Sequence, residues 1–261
     1  MRRWITFNTG SESYHLGIRY VHPNVLTGGD PDRIRKIASY LKETETTCRR
    51  GLVTVHGSYK GLPITAFSTG MGPSSVDITL PEVIEACDDS DMLIIRIGTA
   101  GGLQPHLNIG DFVVTTEVER AETTSDKIMG HGYRAVASSD VQNALVRAAD
   151  GCKLPFQKVY VGHTKVTDEI YFDALASKAA ANGQALAVSM EASVIFALRD
   201  RYNRDNGRKI RAGELLVISN NNVAEVAEPA DAVESPRAKK LIEDAHIKAG
   251  LETLVAMREK G

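Results

Sequence analysis

The sequence predicts an α/β fold in a single domain spanning residues 1–261. Short apolar, β-branched runs alternate with segments of helical period, which implies a mostly parallel or mixed sheet flanked by helices. Several runs are apolar at consecutive positions, as expected of strands buried on both faces. No internal repeat, low-complexity tract or Pro/Ser-rich linker divides the chain, so one large core accounts for it.

The first helix opens at Asp30-Pro31, where the aspartate can cap and the proline is tolerated in the first turn. Ile34, Ile37, Ala38 and Leu41 then recur at i, i+3, i+4 and i+7. Strands are read at 52–55, 64–67, 92–95, 112–114, 159–161 and 215–218. Helical periods cover 139–149 and 190–202, and a long helix from Pro236 to about Lys260 closes the fold. Pro81 falls in an otherwise helical stretch after Ser74, so that helix should kink or start late.

With 43% hydrophobic and 25% charged residues the chain sits near globular averages. A net charge of -2 and a pI near 6.4 leave no basic footprint for nucleic acid or an anionic membrane, which points to small-molecule partners. Cys48, Cys87 and Cys152 show no paired spacing and fit free thiols in a reducing compartment. No signal-peptide core or membrane-spanning apolar run is present, so a soluble, cytoplasmic protein is expected. No His/Cys/Asp cluster has metal-ligand spacing.

Ligands of open α/β sheets gather at the carboxyl ends of strands, so the polar or glycine-rich sequence after each apolar run carries the search for chemistry. At Gly28-Gly29-Asp30-Pro31-Asp32-Arg33, backbone N–H groups and a guanidinium can meet one anion, or the segment is an ordinary turn with a surface arginine. Residues 68–75 place two glycines and several hydroxyls at a helix start, which suits phosphate or ribose oxygens.

In Met92-Leu93-Ile94-Ile95-Arg96-Ile97, an arginine inside a buried strand needs an anionic partner. A bound phosphate is favoured over an internal Asp or Glu, because the following Gly98-Thr99-Ala100-Gly101-Gly102 reads as a turn that opens the spot to a ligand. Glu191 stands between an apolar approach and an apolar helix, where it can accept from the vicinal hydroxyls of a ribose or simply favour the helix start.

At these residues the sequence resembles the nucleoside phosphorylase family that includes uridine phosphorylase and the hexameric bacterial purine nucleoside phosphorylases. The resemblance runs from Tyr14-His15-Leu16-Gly17 through Gly29-Asp30-Pro31-Asp32-Arg33, Thr69-Gly70-Met71-Gly72-Pro73-Ser74, Arg96-Ile97-Gly98-Thr99 and Gln104-Pro105-His106. It continues through Gly110-Asp111, Thr115-Thr116 and Met190-Glu191, covering roughly residues 14 to 255. It implies a central mixed, partly barrel-like sheet flanked by helices in three layers.

It also implies that Gly29, Arg33, Arg96 and Thr99 bind phosphate, with Arg50 reaching the same anion from a neighbouring subunit. Met190 and Glu191 would hold the ribose, and the neighbour's His15 would contact the 5′-hydroxyl. A site shared in this way requires a homo-oligomer: at least a dimer, and a hexamer in many family members. Inorganic phosphate is the expected co-substrate, with no cofactor or metal.

The expected activity is reversible phosphorolysis of a nucleoside, uridine or a related pyrimidine nucleoside first, to ribose 1-phosphate and free base. Uridine phosphorylases read uracil with a glutamine and an arginine shortly after the segment equivalent to Thr167-Asp168-Glu169-Ile170-Tyr171, whereas this chain continues Phe172-Asp173-Ala174-Leu175-Ala176. The general-acid aspartate of purine-cleaving relatives is replaced too, since Asn220, Asn221 and Asn222 follow Ser219. Asn220 or Asn221 could read a uracil or 6-oxopurine edge, with Ile170, Lys165, Asp168 and His163 near the base or in a solvated loop.

Arg96, Glu191 and Asn220 are thus the expected catalytic residues, and residues 224–229 read as a flap over the base. A purine nucleoside phosphorylase acting on 6-oxopurines and a non-catalytic nucleoside sensor are the alternatives. Arg33, Arg50 and Arg96 together argue against a nucleosidase that uses water.

Overall fold

A computed structural model describes residues 12–89, 91–170, 184–221 and 235–259. In chain order the elements begin β1 (Asn24–Gly28), α1 (Pro31–Ala38), β2 (Lys42–Arg49), β3 (Leu52–Tyr59), β4 (Leu62–Ser68) and α2 (Pro73–Glu85). There follow β5 (Leu93–Gly102), β6 (Phe112–Ala121), α3 (Thr124–Met129), β7 (Ala135–Val136), α4 (Ser139–Cys152) and β8 (Val159–Thr167). The described residues end with β9 (Ala187–Ser189), α5 (Ala192–Asn206), β10 (Arg211–Asn221) and α6 (Pro236–Arg258).

All ten strands form one mixed sheet in the order β10-β6-β8-β9-β5-β1-β4-β3-β2, with β7 attached to β6. A further pairing of β10 with β5 closes β5, β10, β6, β8 and β9 into a five-stranded ring, from which β1, β4, β3 and β2 extend as an open wing. β5 belongs to both parts. On one edge its first half pairs with β1, Asn24–Thr27 opposite Leu93–Arg96, and its last residues, Gly101 and Gly102, pair with β9. Between them that edge is released, and a cleft opens where the strand order switches.

Alternation along β5 divides the core. Leu93, Ile95 and Ile97 join the cluster under α1, α4 and α6, while Ile94 joins the one under α2 and α5. Helices therefore cover both faces, and the α/β three-layer expectation holds.

Local chemistry explains the elements that frame the cleft. Asp30 caps α1 by accepting from the Asp32 N–H at 2.8 Å, Pro31 occupies the first turn, and Ile34 and Ile37 are buried. α2 starts at Pro73 after Gly72, whose φ of 91° favours glycine. α6 is capped by Ser235, which accepts from the Ala238 N–H at 3.1 Å.

Four features differ from the expectations. α2 runs unbroken from Pro73 to Glu85 with Pro81 inside it, neither starting late nor ending there. Proline forgoes one backbone bond, and the burial of Val76, Leu80, Val83 and Ile84 in the core outweighs it. The segment 98–102 is strand, not turn, because β10 pairs with it along its length. β2, a polar run with no apolar signal, forms the sheet's edge by pairing with β3. The helix predicted over 139–149 starts there but extends to Cys152, and the one predicted over 190–202 runs over Ala192–Asn206, stopped by Gly207 at a φ of 66°.

The contact of α6 with the sheet is close enough to be tested. A Cβ on Gly250 would lie 2.8 Å from a Leu26 methyl and 2.9 Å from an Ile97 methyl. Gly250→Val should destabilise the fold by about 1–3 kcal/mol in chemical denaturation. Gly151→Ala, on a helical position with nothing within 4 Å, should stabilise it by about 0.5–1 kcal/mol.

Candidate active site

The cleft is a cavity of about 680 Å³ at the ends of β1, β4, β5 and β10. Its wall is built by the loops that follow the parallel neighbours β1 and β4. The Thr69 N–H donates to the Gly28 carbonyl at 2.9 Å, and a Cβ on Gly29 would come within 3.0 Å of the Gly70 carbonyl oxygen. Glycine at 29 is what lets the two loops touch. Arg33, one turn into α1, crosses the released edge of β5 and donates to the Ile97 carbonyl at 3.2 Å, while its Nε has no partner among the described residues.

Arg96 lies on the β5 face opposite Ile95 and Ile97, and its side chain lies across Gly98, where any Cβ would overlap the guanidinium. Its Nη2 is bound by Glu191 and its Nη1 donates to Glu214 Oε1 at 2.8 Å. The sequence reading favoured a phosphate partner over an internal carboxylate; the structure supplies two carboxylates. Burial alone would lower the arginine's pKa, but the two glutamates outweigh it and raise it. Burial pushes the Glu214 carboxyl up, against the pull of Arg96 and Thr115. Arg33, with burial as the main cause and Arg96 as the next, is shifted down.

Glu191 occupies the N-cap position of α5, and its carboxylate points away from that helix's own N–H groups. Its Oε1 accepts from the Gly72 N–H at 3.0 Å, and its Oε2 accepts from the Met190 N–H at 3.2 Å as well as from Arg96. It is 4% exposed yet lines the cavity. Gly29, Arg33, Arg96, Thr99, Met190 and Glu191 all line this one cavity.

Thr167, Ile170, Ser219 and Asn220 line the same cavity, with Ser219 Oγ donating to the Ala100 carbonyl at 3.2 Å. A register shift in β10 between Ile218 and Asn220 turns both Ser219 and Asn220 to the cavity, as bulges beside sites often do. Asn221 is not part of the lining: its amide donates to the Gln104 and Leu107 carbonyls at 2.9 and 2.8 Å and pins that loop. Lys165 and Asp168 do not line the cavity either, Lys165 being buried in β8 and Asp168 exposed. The stretch 171–176 and the flap 224–229 lie outside the described residues.

Arg50 and His15, assigned by resemblance to a neighbour's site, are absent from their own chain's cavity. Tyr14 joins them instead: Arg50 sits 4.7 Å over its ring, and the His15 ring meets it edge-on at 4.9 Å. Glu82 fixes His15 through Nδ1 at 2.7 Å and accepts from the His15 and Leu16 N–H groups.

Glu214, Thr115 and Ser219 were missed by the sequence reading. Glu214 carried the same signal as Arg96, a charge inside an apolar strand run. Ser219 owes its place to the bulge, for which the residues gave no sign. Among the described residues, no group of three or more His, Cys, Asp or Glu is placed to hold a metal ion, and no helix is long and apolar enough to cross a membrane.

The chain is similar to several known proteins. The uridine phosphorylase of Thermococcus kodakarensis is 35% identical over 161 residues, 60% of this chain and 56% of that relative's length. The guanosine phosphorylase of Halorubrum lacusprofundi is 31% identical over 81% of this chain and 84% of its own. In fold, a crystal structure of uridine phosphorylase from Vibrio fischeri ES114 superposes with a TM-score of 0.79, covering 95% of this chain and 97% of that one at 23% identity. The family model described as the phosphorylase superfamily matches residues 23–253, and the chain belongs to that superfamily.

Proposed function

We propose that the protein is a nucleoside phosphorylase that cleaves uridine or a related pyrimidine nucleoside with inorganic phosphate, giving ribose 1-phosphate and the free base. The observation that carries this reading is the meeting of Arg33, Arg96 and Thr99 with Met190, Glu191 and Asn220 in one cavity. No cofactor is needed beyond phosphate as co-substrate. The implied setting is a cytoplasmic homo-oligomer working in nucleoside salvage, in which a second copy lends Arg50 and His15.

The chemistry follows from the layout. The arginines hold phosphate below C1′ and in line with the glycosidic bond. Glu191, immobilised by the Gly72 N–H and Arg96, accepts from the ribose hydroxyls and stabilises the positive charge that builds on the sugar as the bond stretches. Phosphate captures C1′ while the base departs with its pair of electrons. Asn220 offers an amide N–H to the carbonyl oxygen on which that charge collects.

One observation favours a second substrate class. The alignment with a guanosine phosphorylase covers far more of the chain than that with the Thermococcus uridine phosphorylase. Uracil and a 6-oxopurine present the same carbonyl-beside-N–H edge, and an asparagine amide can pair with either.

Base release from uridine, thymidine, inosine, guanosine and adenosine, each with and without phosphate, tests the reading. Phosphate-dependent release from uridine is expected; release from purines alone would transfer the assignment to the second class, and no release from any would make the protein a sensor. In steady-state kinetics, Arg33→Ala should raise the KM for phosphate by about 10- to 100-fold, and Glu191→Gln should lower kcat by about 100-fold or more. An unchanged phosphate dependence in Arg33→Ala would contradict the assignment.

A further inference from the structure

Arg96 does not face the cavity with an uncompensated charge. Both ends of its guanidinium are taken by carboxylates, Glu191 at Nη2 and Glu214 at Nη1. Glu214 is fully buried and does not line the cavity. Its second oxygen accepts from Thr115 Oγ1 at 2.6 Å, and Thr115 Oγ1 lies 3.3 Å from Thr164 Oγ1, so a polar chain crosses the ring from β5 through β10 and β6 to β8.

The phosphate corner of one protomer therefore holds two guanidinium groups, Arg33 and Arg96, against two carboxylates, Glu191 and Glu214. A dianion entering this corner meets at least as much negative as positive charge, since Asp30 also lines the cavity, and Arg50 from a second copy adds only one positive charge. Glu191 is engaged with the sugar in the reading above. Glu214 has no ligand to serve, and its negative charge opposes the anion.

We propose that binding of phosphate in this cavity is coupled to protonation of Glu214, which converts Arg96 from a neutralised ion pair into an anion clamp. The inference rests on the phosphate-site reading of the preceding section. One proton is taken from solvent for each anion bound. The protonated carboxyl still accepts from Arg96 through its carbonyl oxygen and donates to Thr115 Oγ1, while the Thr115–Thr164 bond reverses direction.

The surroundings make Glu214 the group that titrates. β5 presents Arg96 to it, the start of α5 presents Glu191, and β6 and β8 present only the hydroxyls of Thr115 and Thr164. On the opposite face, α4 packs Val141 and Leu145 against Gly213. His246 of α6 bonds to the Leu215 carbonyl there, its pKa lowered to about 3 mainly by burial. Burial already pushes the Glu214 carboxyl upward, and Glu191 adds to it.

Sulfate is the probe, because it keeps its double charge over the whole working range and introduces no titration of its own. Calorimetric titration of the full-length protein with sulfate, in two buffers of different ionisation enthalpy, counts the protons exchanged. The wild type should take up close to one proton per sulfate within the coupled window, and its affinity should fall by up to about tenfold per pH unit as pH rises through that window. Glu214→Gln should bind sulfate at least about tenfold more tightly near neutral pH, with a flat pH profile and no uptake.

Thr115→Val, which keeps the charge but removes one bond that favours the carboxylate, should displace the wild-type profile to higher pH. Absence of proton uptake in the wild type, uptake that persists in Glu214→Gln, or weaker sulfate binding by Glu214→Gln would each overturn the proposal. Failure of the wild type to bind either sulfate or phosphate would instead overturn the phosphate-site reading, and this proposal with it.

Discussion

The structure is organised around the burial of one guanidinium. Arg96 is 3% exposed, and leaving such a charge unpaired would cost several kcal/mol, a large share of the stability of a typical domain. Its partners come from far along the chain, Glu191 at a separation of 95 residues and Glu214 at 118. Satisfying it fixes β10 beside β5 with Glu214 opposite Arg96, seats the start of α5 at the cavity, and requires glycine at position 98. The same contacts that make the fold affordable place the polar groups that face a ligand.

β5 makes this possible by serving both the ring and the wing of the one sheet. Along one edge it pairs first with β1 of the wing and, by Gly101, with β9 of the ring, while β10 follows its other edge throughout. The carbonyl of Ile97, on the released edge, is taken by Arg33 instead of a neighbouring strand. A backbone group that must be satisfied thus holds a cationic side chain at the mouth of the cleft.

Much of this was legible in the residues. The capped start of α1, the buried runs of β3 to β6 and the long α6 follow from local signals, and the resemblance brought Gly29, Arg33, Arg96, Thr99, Met190 and Glu191 to one place. What escaped was set by tertiary context. β2 is a strand because β3 offers it a ladder, and α2 tolerates Pro81 because its apolar face is buried. Asn220 and Asn221 are adjacent and chemically identical, yet one faces the cavity and the other braces the 104–107 loop. A bulge one residue earlier makes that difference, and no residue type announced it.

Closure of the ring also constrains how the chain is made. β5 is complete at residue 102, but the strand that covers its free edge spans Arg211–Asn221. During synthesis, the nascent chain carries an unpaired strand edge and a guanidinium without its Glu214 partner until more than a hundred further residues have emerged. Parallel pairing at such sequence separation is slow and leaves the edge open to wrong partners. The wing is different, since β2, β3 and β4 pair with one another within residues 42–68 and can form early. The topology thus separates a local hairpin platform from a long-range closure, and the Arg96–Glu214 ion pair belongs to the second.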